Sequence, residues 1–323
     1  MSLIAALNAL QNQHGYLRES DLRQLAVTQK IPLHAIQAVV SFYPHYRTTP
    51  PPAVQVRVCR DLSCYLAGSD QLYEGLREAL DGTGAELQPV SCLGRCDAAP
   101  AVAVNETPLS GASLEAIIHA IHHPETLGDG CFHLTQTRWP GDPYASVEDR
   151  YAVLRRLRQG EALHVIGMLK ESDLRGMGGA AFPVGIKWEL VQRQNAPVKY
   201  VICNADESEP GTFKDRVILA ELPHLVLEGI LIAAHVVGAQ KGYVFIRHEY
   251  APERRILAAE LARIRHLGLL DPGFDLEIFV SPGGYILGEE TALLECLEDR
   301  RGEPRNKPPF PGTHGLYNRP TLI

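Results

Sequence analysis

The hydrophobic positions divide the chain into stretches of different period. In residues 2–47, Leu3, Ile4, Leu7 and Leu10 recur at helical spacing. Ser20 is placed to cap a second helix carrying Leu22 and Leu25. Pro32 is placed to open a third, with Leu33, Ile36, Val39 and Val40 inward. Thr48-Thr49-Pro50-Pro51-Pro52 stops the helical pattern and predicts a stiff connector. Then the period becomes two. Val54, Val56 and Val58 alternate as in a half-buried strand that ends at Cys59. A helix with Leu72, Leu76 and Leu80 follows, then strands at Leu87–Val90 and Ala101–Val104, and a helix at Leu114–Ile121. This β-α-β-β-α order fits a thioredoxin-like layer.

Residues 123–150, with His122-His123-Pro124, Gly128-Asp129-Gly130 and Trp139-Pro140-Gly141-Asp142-Pro143, lack a core pattern and predict a linker wrapping across the next unit. Cys131 lies there without a spaced partner and reads as a packed or exposed thiol. Beyond it, Val165–Leu174 reads as a helix. Strands at Tyr200–Cys203, Tyr243–Ile246 and Leu276–Val280 then alternate with helices at Leu225–Val237, Pro252–Leu267 and Thr291–Leu297. Such alternation predicts an α/β layer with a mainly parallel sheet.

Composition narrows the class. A length of 323 residues suits two domains, and a net charge of −7 argues against nucleic acid as the main partner. The longest apolar run, Leu225–Gly238, is interrupted by Glu228 and His235, too polar to span a bilayer. The N-terminus lacks the basic region and cleavage site of a signal peptide, so a cytoplasmic location is expected. The cysteine count is seven, an odd number, which points to metal or reactive thiols more than to a disulfide framework.

Five segments carry candidate chemistry. Cys59-x4-Cys64 and Cys92-x3-Cys96 each sit at a strand end, where four thiolates can hold zinc or a [2Fe–2S] cluster. Neither pair is a C-x2-C knuckle, and Gly68 and Gly94 leave room for sulfide, so spacing leans to the cluster without deciding. The stretch Leu174–Trp188 concentrates glycines, and Lys187 follows them, as in an anion-binding cradle. Gly176-x-Gly178-x-x-Ala181 fits a dinucleotide fingerprint by letters, but a helix precedes it instead of a strand. A phosphate or flavin cradle is therefore the better reading. Asn204–Thr212 and Ser281–Thr291 both follow strands, where ligands bind in open α/β sheets. A solvated turn for the first and helix capping by Glu289 and Glu290 for the second compete with that reading. Arg305–Pro311 sets cations beside Phe310, suited to a nucleotide phosphate and base, or to a polyproline surface loop.

Arg175-Gly176-x-Gly178-Gly179-Ala180-x-Phe182-Pro183 with Lys187-Trp188, Asn204-Ala205-Asp206-Glu207-x-Glu209-Pro210-Gly211-Thr212, Gly288-Glu289-Glu290-Thr291 and Pro308-Pro309-Phe310-Pro311 together resemble the FMN- and NADH-binding subunit of respiratory complex I. The same module recurs as the diaphorase part of NAD-dependent formate dehydrogenases and NAD-reducing hydrogenases. Residues 1 to about 122 resemble the partner subunit that carries a [2Fe–2S] cluster on a thioredoxin-like fold, here fused to it. The resemblance decides cluster over zinc at Cys59, Cys64, Cys92 and Cys96. It implies that Gly176, Gly178, Gly179 and Lys187 hold the FMN phosphate side, and that Asn204, Asp206 and Glu207 contact FMN and the nicotinamide approach. Tyr285, Gly288, Glu289 and Glu290 would line the shared cavity. Phe182 and Phe310 would stack the adenine, and Lys307 would meet the dinucleotide. Glu207 and Glu289 would tune nucleotide affinity and flavin potential, with no acid–base role.

The chain departs from the family at Glu189-Leu190, where a second aromatic often stands. The family also continues past Gly315–Thr321 into a region with a [4Fe–4S] cluster, which this sequence does not encode, so a C-terminally truncated diaphorase is expected. The predicted order is a helical part at 1–50, a thioredoxin-like [2Fe–2S] domain at 51–125, a linker at 126–150 and a Rossmann-like α/β FMN/NADH-binding domain at 151–323. The implied function is NADH:acceptor oxidoreduction through FMN and iron–sulfur centres. The implied partners are other subunits of a formate dehydrogenase or hydrogenase complex. An inactive assembly fragment and a zinc- and nucleotide-binding regulator are the alternatives.

Overall fold

The computed structural model describes residues 2–124, 127, 139–160 and 164–323, so Cys131 and most of the predicted linker lie outside the described residues. Helices α1 (Leu3–His14), α2 (Glu19–Gln29) and α3 (Leu33–Phe42) open the chain. Ser2 caps α1 through its side chain, and Pro32 precedes α3 as predicted. Ser20 is not the cap of α2. That helix begins at Glu19 behind Arg18, and Glu19 and Asp21 in its first turn favour the positive dipole end.

The next unit runs β1 (Gln55–Cys59), α4 (Leu62–Leu66), α5 (Ser69–Ala79), β2 (Glu86–Val90), β3 (Ala101–Val104), β4 (Thr107–Ser110) and α6 (Leu114–His122). Its sheet has the order β2-β1-β3-β4, with β1 parallel to β2 and antiparallel to β3. Val56, Val58, Leu76, Val102, Val104 and Ile117 form its core. The periodicity did not disclose α4, which is one turn long, or β4, where Pro108 and Ser110 blur the strand pattern.

Described linker residues lead across α7 (Ala152–Arg158) to α8 (Val165–Glu171) and α9 (Val184–Gln192). Then come β5 (Tyr200–Ala205), α10 (Lys214–Glu221), α11 (Pro223–Val237), β6 (Lys241–Arg247), α12 (Ala251–His266), β7 (Asp275–Ser281), α13 (Glu290–Leu297), α14 (Pro311–His314) and β8 (Thr321–Leu322). The second sheet, β7-β6-β5-β8, is parallel throughout. The buried Glu228 of α11 accepts hydrogen bonds from the Tyr144 hydroxyl at 2.8 and 2.7 Å and from Leu154 N at 3.0 Å, which fastens the segment before α7 to the sheet unit. Among the described residues no single helix is long and apolar enough to cross a membrane.

Strand alternation gives this sheet two faces. Val201, Ala205, Val244, Ile246 and Leu276 point to one side, against α7, α11 and α12. Ile202, Phe245, Tyr243 and Phe279 point to the other, and there the cover comes from α13 and from Leu3, Ile4, Leu7, Ile36, Val39 and Val40 of the N-terminal helices. Those helices are thus the second outer layer of the parallel sheet. The carboxyl ends of β5, β6 and β7 open toward the loops that bear the motifs.

Candidate functional site

The glycine stretch is a closed loop. Gly176 N donates to Phe182 O at 3.0 Å and Val184 N to Leu174 O at 2.8 Å, so residues 176–182 project beyond a bridge between Arg175 and Pro183. Gly179 has φ +99°, where a side chain would be strained. A Cβ on Gly178 or Gly179 would meet no atom within 4 Å, so the loop faces open space that a ligand can fill. Pro183 then leads into α9, which brings Lys187 back toward the sheet.

Four separated segments meet here. Lys187 Nζ donates to Ile323 O at 3.0 Å and lies 4.0 Å from Glu290. Lys307 Nζ joins Glu289 and Glu290 at 2.9 and 2.6 Å. Desolvation lowers the Lys307 pKa, but the hydrogen bonds to Glu290 and Glu289 outweigh it and hold the ammonium above its ordinary value. Asn204 Nδ2 donates to Gly288 O at 2.9 Å and so ties the end of β5 to the loop before α13. The Tyr285 hydroxyl donates to Glu209. Phe182, Tyr285 and Phe310 are exposed aromatics on these segments, available to a planar ligand.

The structure alters several readings within this set. Asn204 and Ala205 belong to β5, so the polar loop begins at Asp206. Glu289 is the N-cap of α13, its Oε2 accepting from Thr291 N at 2.8 Å and Ala292 N at 2.9 Å. Only its Oε1 remains toward Lys307. Desolvation would raise the Glu289 pKa, yet these hydrogen bonds hold it below the usual range. Glu207 is buried, and its carboxylate is already engaged. Its carboxylate accepts from Asp215 N and Arg216 N, at 3.0 and 3.1 Å, and from the Tyr250 hydroxyl at 3.0 Å. Those partners make it a distant cap for α10. Asp206 is buried, and desolvation pushes its pKa up to about 6. Ser208 donates to its Oδ2 at 2.8 Å, whereas the buried Oδ1 has no hydrogen-bond partner.

The four cysteines converge at the end of β1 and the loop after β2. Cys59 and Cys64 pack in one buried cluster with Leu93, and Cys92 Sγ lies 3.3 Å from Cys96 Sγ. Cys59, Cys64 and Cys92 are buried. Gly94 N donates to Cys92 Sγ at 3.3 Å. The hydrogen bond from Cys59 and those from Cys96 and Gly94, with Arg247 nearby, favour a thiolate at Cys92. Among the described residues no three Cys, His, Asp or Glu side chains form a ready single-ion site. Four soft donors, from the β1–α4 stretch and the loop after β2, with backbone N–H groups on the Cys92 and Cys96 sulfurs, suit an iron–sulfur cluster.

The cysteine loop docks against the parallel-sheet unit. Gly211 N donates to Cys96 Sγ at 3.3 Å. Arg95 pairs with Glu253 at 2.8 Å, Arg216 with Asp97 at 2.6 Å, and Arg247 Nη2 donates to Cys92 O at 2.5 Å. Motif reading missed Arg216, Arg247, Tyr250 and Glu253. The polar run Arg247-His248-Glu249-Tyr250 at the carboxyl end of a strand was the available signal.

Residues 169–323 match the Nuo51 FMN-binding domain, and residues 1–123 match the thioredoxin-like [2Fe–2S] ferredoxin family. The alpha subunit of the NAD-reducing hydrogenase HoxS of Cupriavidus necator is 32% identical over 370 residues, covering 99% of this chain and 59% of that subunit. A subunit of the NADH-quinone oxidoreductase of Aquifex aeolicus is 46% identical over 180 residues, 54% of this chain and 42% of the relative. The crystal structure of an NAD+-reducing [NiFe]-hydrogenase in the H2-reduced state superposes with a TM-score of 0.89 at 30% identity, covering 100% of this chain and 59% of that one. The chain spans about half the length of the relatives it matches.

Proposed function

We propose, on the premise that this chain belongs to the Nuo51-type FMN-binding family with a thioredoxin-like [2Fe–2S] ferredoxin domain joined to it, that it is the NADH-oxidising diaphorase subunit of a multi-subunit oxidoreductase. One observation carries this reading. A single loop runs from Asp206, whose carbonyl lies against Gly288 of the 285–291 segment, to Gly211, whose N–H rests on the Cys96 sulfur. A flavin site and a cluster site built on the two ends of one short loop are suited to electron exchange.

FMN, when bound, accepts a hydride from the nicotinamide and releases its electrons one at a time. The chain supplies placement. Backbone N–H groups of residues 177–179 and Lys187 would hold the phosphate end, since Gly176 N is already bonded to Phe182 O, with Gly288 allowing close approach beside the Asp206 carbonyl, 3.3 Å from the position of its absent Cβ. Lys307, fixed by Glu289 and Glu290, would present a cation to the dinucleotide, and Phe182 and Phe310 would present aromatic faces to its adenine. Cys59, Cys64, Cys92 and Cys96 would hold the cluster in a place from which Arg95, Tyr250 and Arg216 exclude water. The partner is the catalytic assembly of a hydrogenase or formate dehydrogenase, acting away from the membrane in the cytoplasm.

Quantifying acid-released FMN, iron and sulfide in the purified chain, with NADH–ferricyanide reduction, tests the reading. It requires FMN, two irons and two sulfides per chain, as that cofactor set defines. Iron without flavin or activity would instead indicate an assembly role, and zinc without iron a regulator.

A further inference from the structure

The seam between the cysteine loop and the parallel sheet carries one charge pair that the proposed electron path does not use. Arg247 ends β6 and is buried. Its Nη1 donates to the Glu207 carbonyl, and its Nη2 donates to the Cys92 carbonyl at 2.5 Å. The same guanidinium pairs with Glu249, Nε to Oε2 at 3.0 Å and Nη2 to Oε1 at 2.9 Å. It also lies 5.2 Å from the centre of the Tyr250 ring. Burial works against ionisation of Glu249, but Arg247 and His248 outweigh it and keep the carboxylate charged.

We propose that Arg247 and Glu249 set the reduction potential of the [2Fe–2S] cluster from across the seam, with opposite signs. This rests on the cluster assignment above. Reduction adds one electron to the oxidised cluster, and its charge spreads over the iron, sulfide and cysteine sulfurs. A buried cation held against the backbone of Cys92 stabilises the reduced form more than the oxidised form, because the intervening medium screens weakly. The Glu249 anion, held by the same Nη2 that donates to the Cys92 carbonyl, opposes it. The potential reflects the balance of the pair, so removing either charge unmasks the other. Arg247 bonds to the Cys92 carbonyl and not to a cysteine sulfur, and so acts as a positioning residue, through Cys92. Asp206 also faces Arg247, His248 faces Glu249 and Arg216 faces Tyr250, but none of the three bonds to the cysteine loop at Cys92.

The test is a redox titration of the full chain with its cluster, reduced by dithionite and followed by the electron paramagnetic signal. Glu249→Gln keeps the shape and leaves Arg247 unopposed. It should raise the midpoint so that the one-electron equilibrium shifts about tenfold, or ~59 mV. Arg247→Met should shift it about tenfold the other way. Arg247→Lys retains the charge and should stay within threefold of the parent, even where the methionine variant does not fold. A general loosening of the seam would move Glu249→Gln and Arg247→Met in the same direction. That result, or an unmoved Glu249→Gln, overturns the proposal. An unaltered chain that never shows a [2Fe–2S] signal would instead overturn the cluster assignment itself.

Discussion

Tyr250 fills the space that a side chain on Gly94 would need: a Cβ there would lie 2.3 Å from Cε1 of the ring. Gly94 also has φ +68°, so both its backbone and its neighbour demand glycine. The cysteine loop and the flavin unit meet through this contact. Gly94→Ala should therefore destabilise the protein by about 1–3 kcal/mol, the usual cost of forcing an extra methyl into a packed site. Urea unfolding of the parent and variant measures it, and an unchanged midpoint would show that the seam adjusts freely.

Glu207→Gln tests the finding that this carboxylate is a cap. An amide NH2 cannot accept from both the α10 backbone and Tyr250, so a donor is left unpaired in a buried place. The expected loss is about 1–3 kcal/mol of stability. NADH affinity should change less than stability does. A large affinity change in a fully stable variant would return Glu207 to the nucleotide pocket.

Lys307→Gln should act in the opposite sense. Its pairs with Glu289 and Glu290 are partly exposed, and such pairs contribute roughly 0–1 kcal/mol. Removing the ammonium leaves two carboxylates facing the proposed pyrophosphate position. NADH should bind about tenfold more weakly, ~1.4 kcal/mol, in an equilibrium titration, with thermal stability nearly unaltered. Tight binding in the variant would exclude Lys307 from the dinucleotide site.

Asp206 gives a pH dependence with a defined sign. Its folded pKa is raised by burial from 3.8 to about 6, with Arg247, Glu249, Ser208 and Ser281 as its charged and polar neighbours. The folded state therefore binds more protons than the unfolded state between those values. The contribution is fully present below about pH 4 and is lost as pH rises through about 6. Asp206→Asn does not ionise. Its stability relative to the parent should grow by on the order of 2–3 kcal/mol from pH 4 to pH 6.5. Denaturant unfolding at both pH values measures this, and a constant difference would contradict it.

The strands of the parallel sheet were legible because Val201, Val244 and Leu276 sit in short apolar runs of the right length. The helices between them were legible through Leu257, Leu261 and Ile264. The cysteine spacing and the glycine stretch marked both cofactor regions. Other features were invisible for physical reasons. A helical stripe such as Leu3, Ile4 and Leu7 says that a face is buried, but not that Phe245 and Leu293 bury it. The roles of Glu207 and Glu289 depend on which backbone N–H groups lie within reach, and that is decided by where α10 and α13 begin. Arg247 and Tyr250 carry no spacing motif, since their partners lie in another part of the chain. Thr321–Leu322 is too short to show strand periodicity, and it pairs only with Tyr200 and Val201.

The outer layer formed by α1–α3 has a consequence for synthesis. Ile4 N donates to Asp299 Oδ1 at 2.9 Å, between residues 295 positions apart. Leu3, Ile4 and Leu7 pack early against α2 and α3, but gain the sheet and α13 as neighbours only once β6, β7 and α13 have left the ribosome. At about 5–20 residues per second, these helices wait roughly 15–60 s for the surface that covers them. The cysteine-bearing sheet, whose contacts are nearer in sequence, can close in the meantime. Helices translated before both sheets are thus among the last elements to be buried. A slow codon run before residue 290 would lengthen the interval in which their apolar face stands open to chaperones.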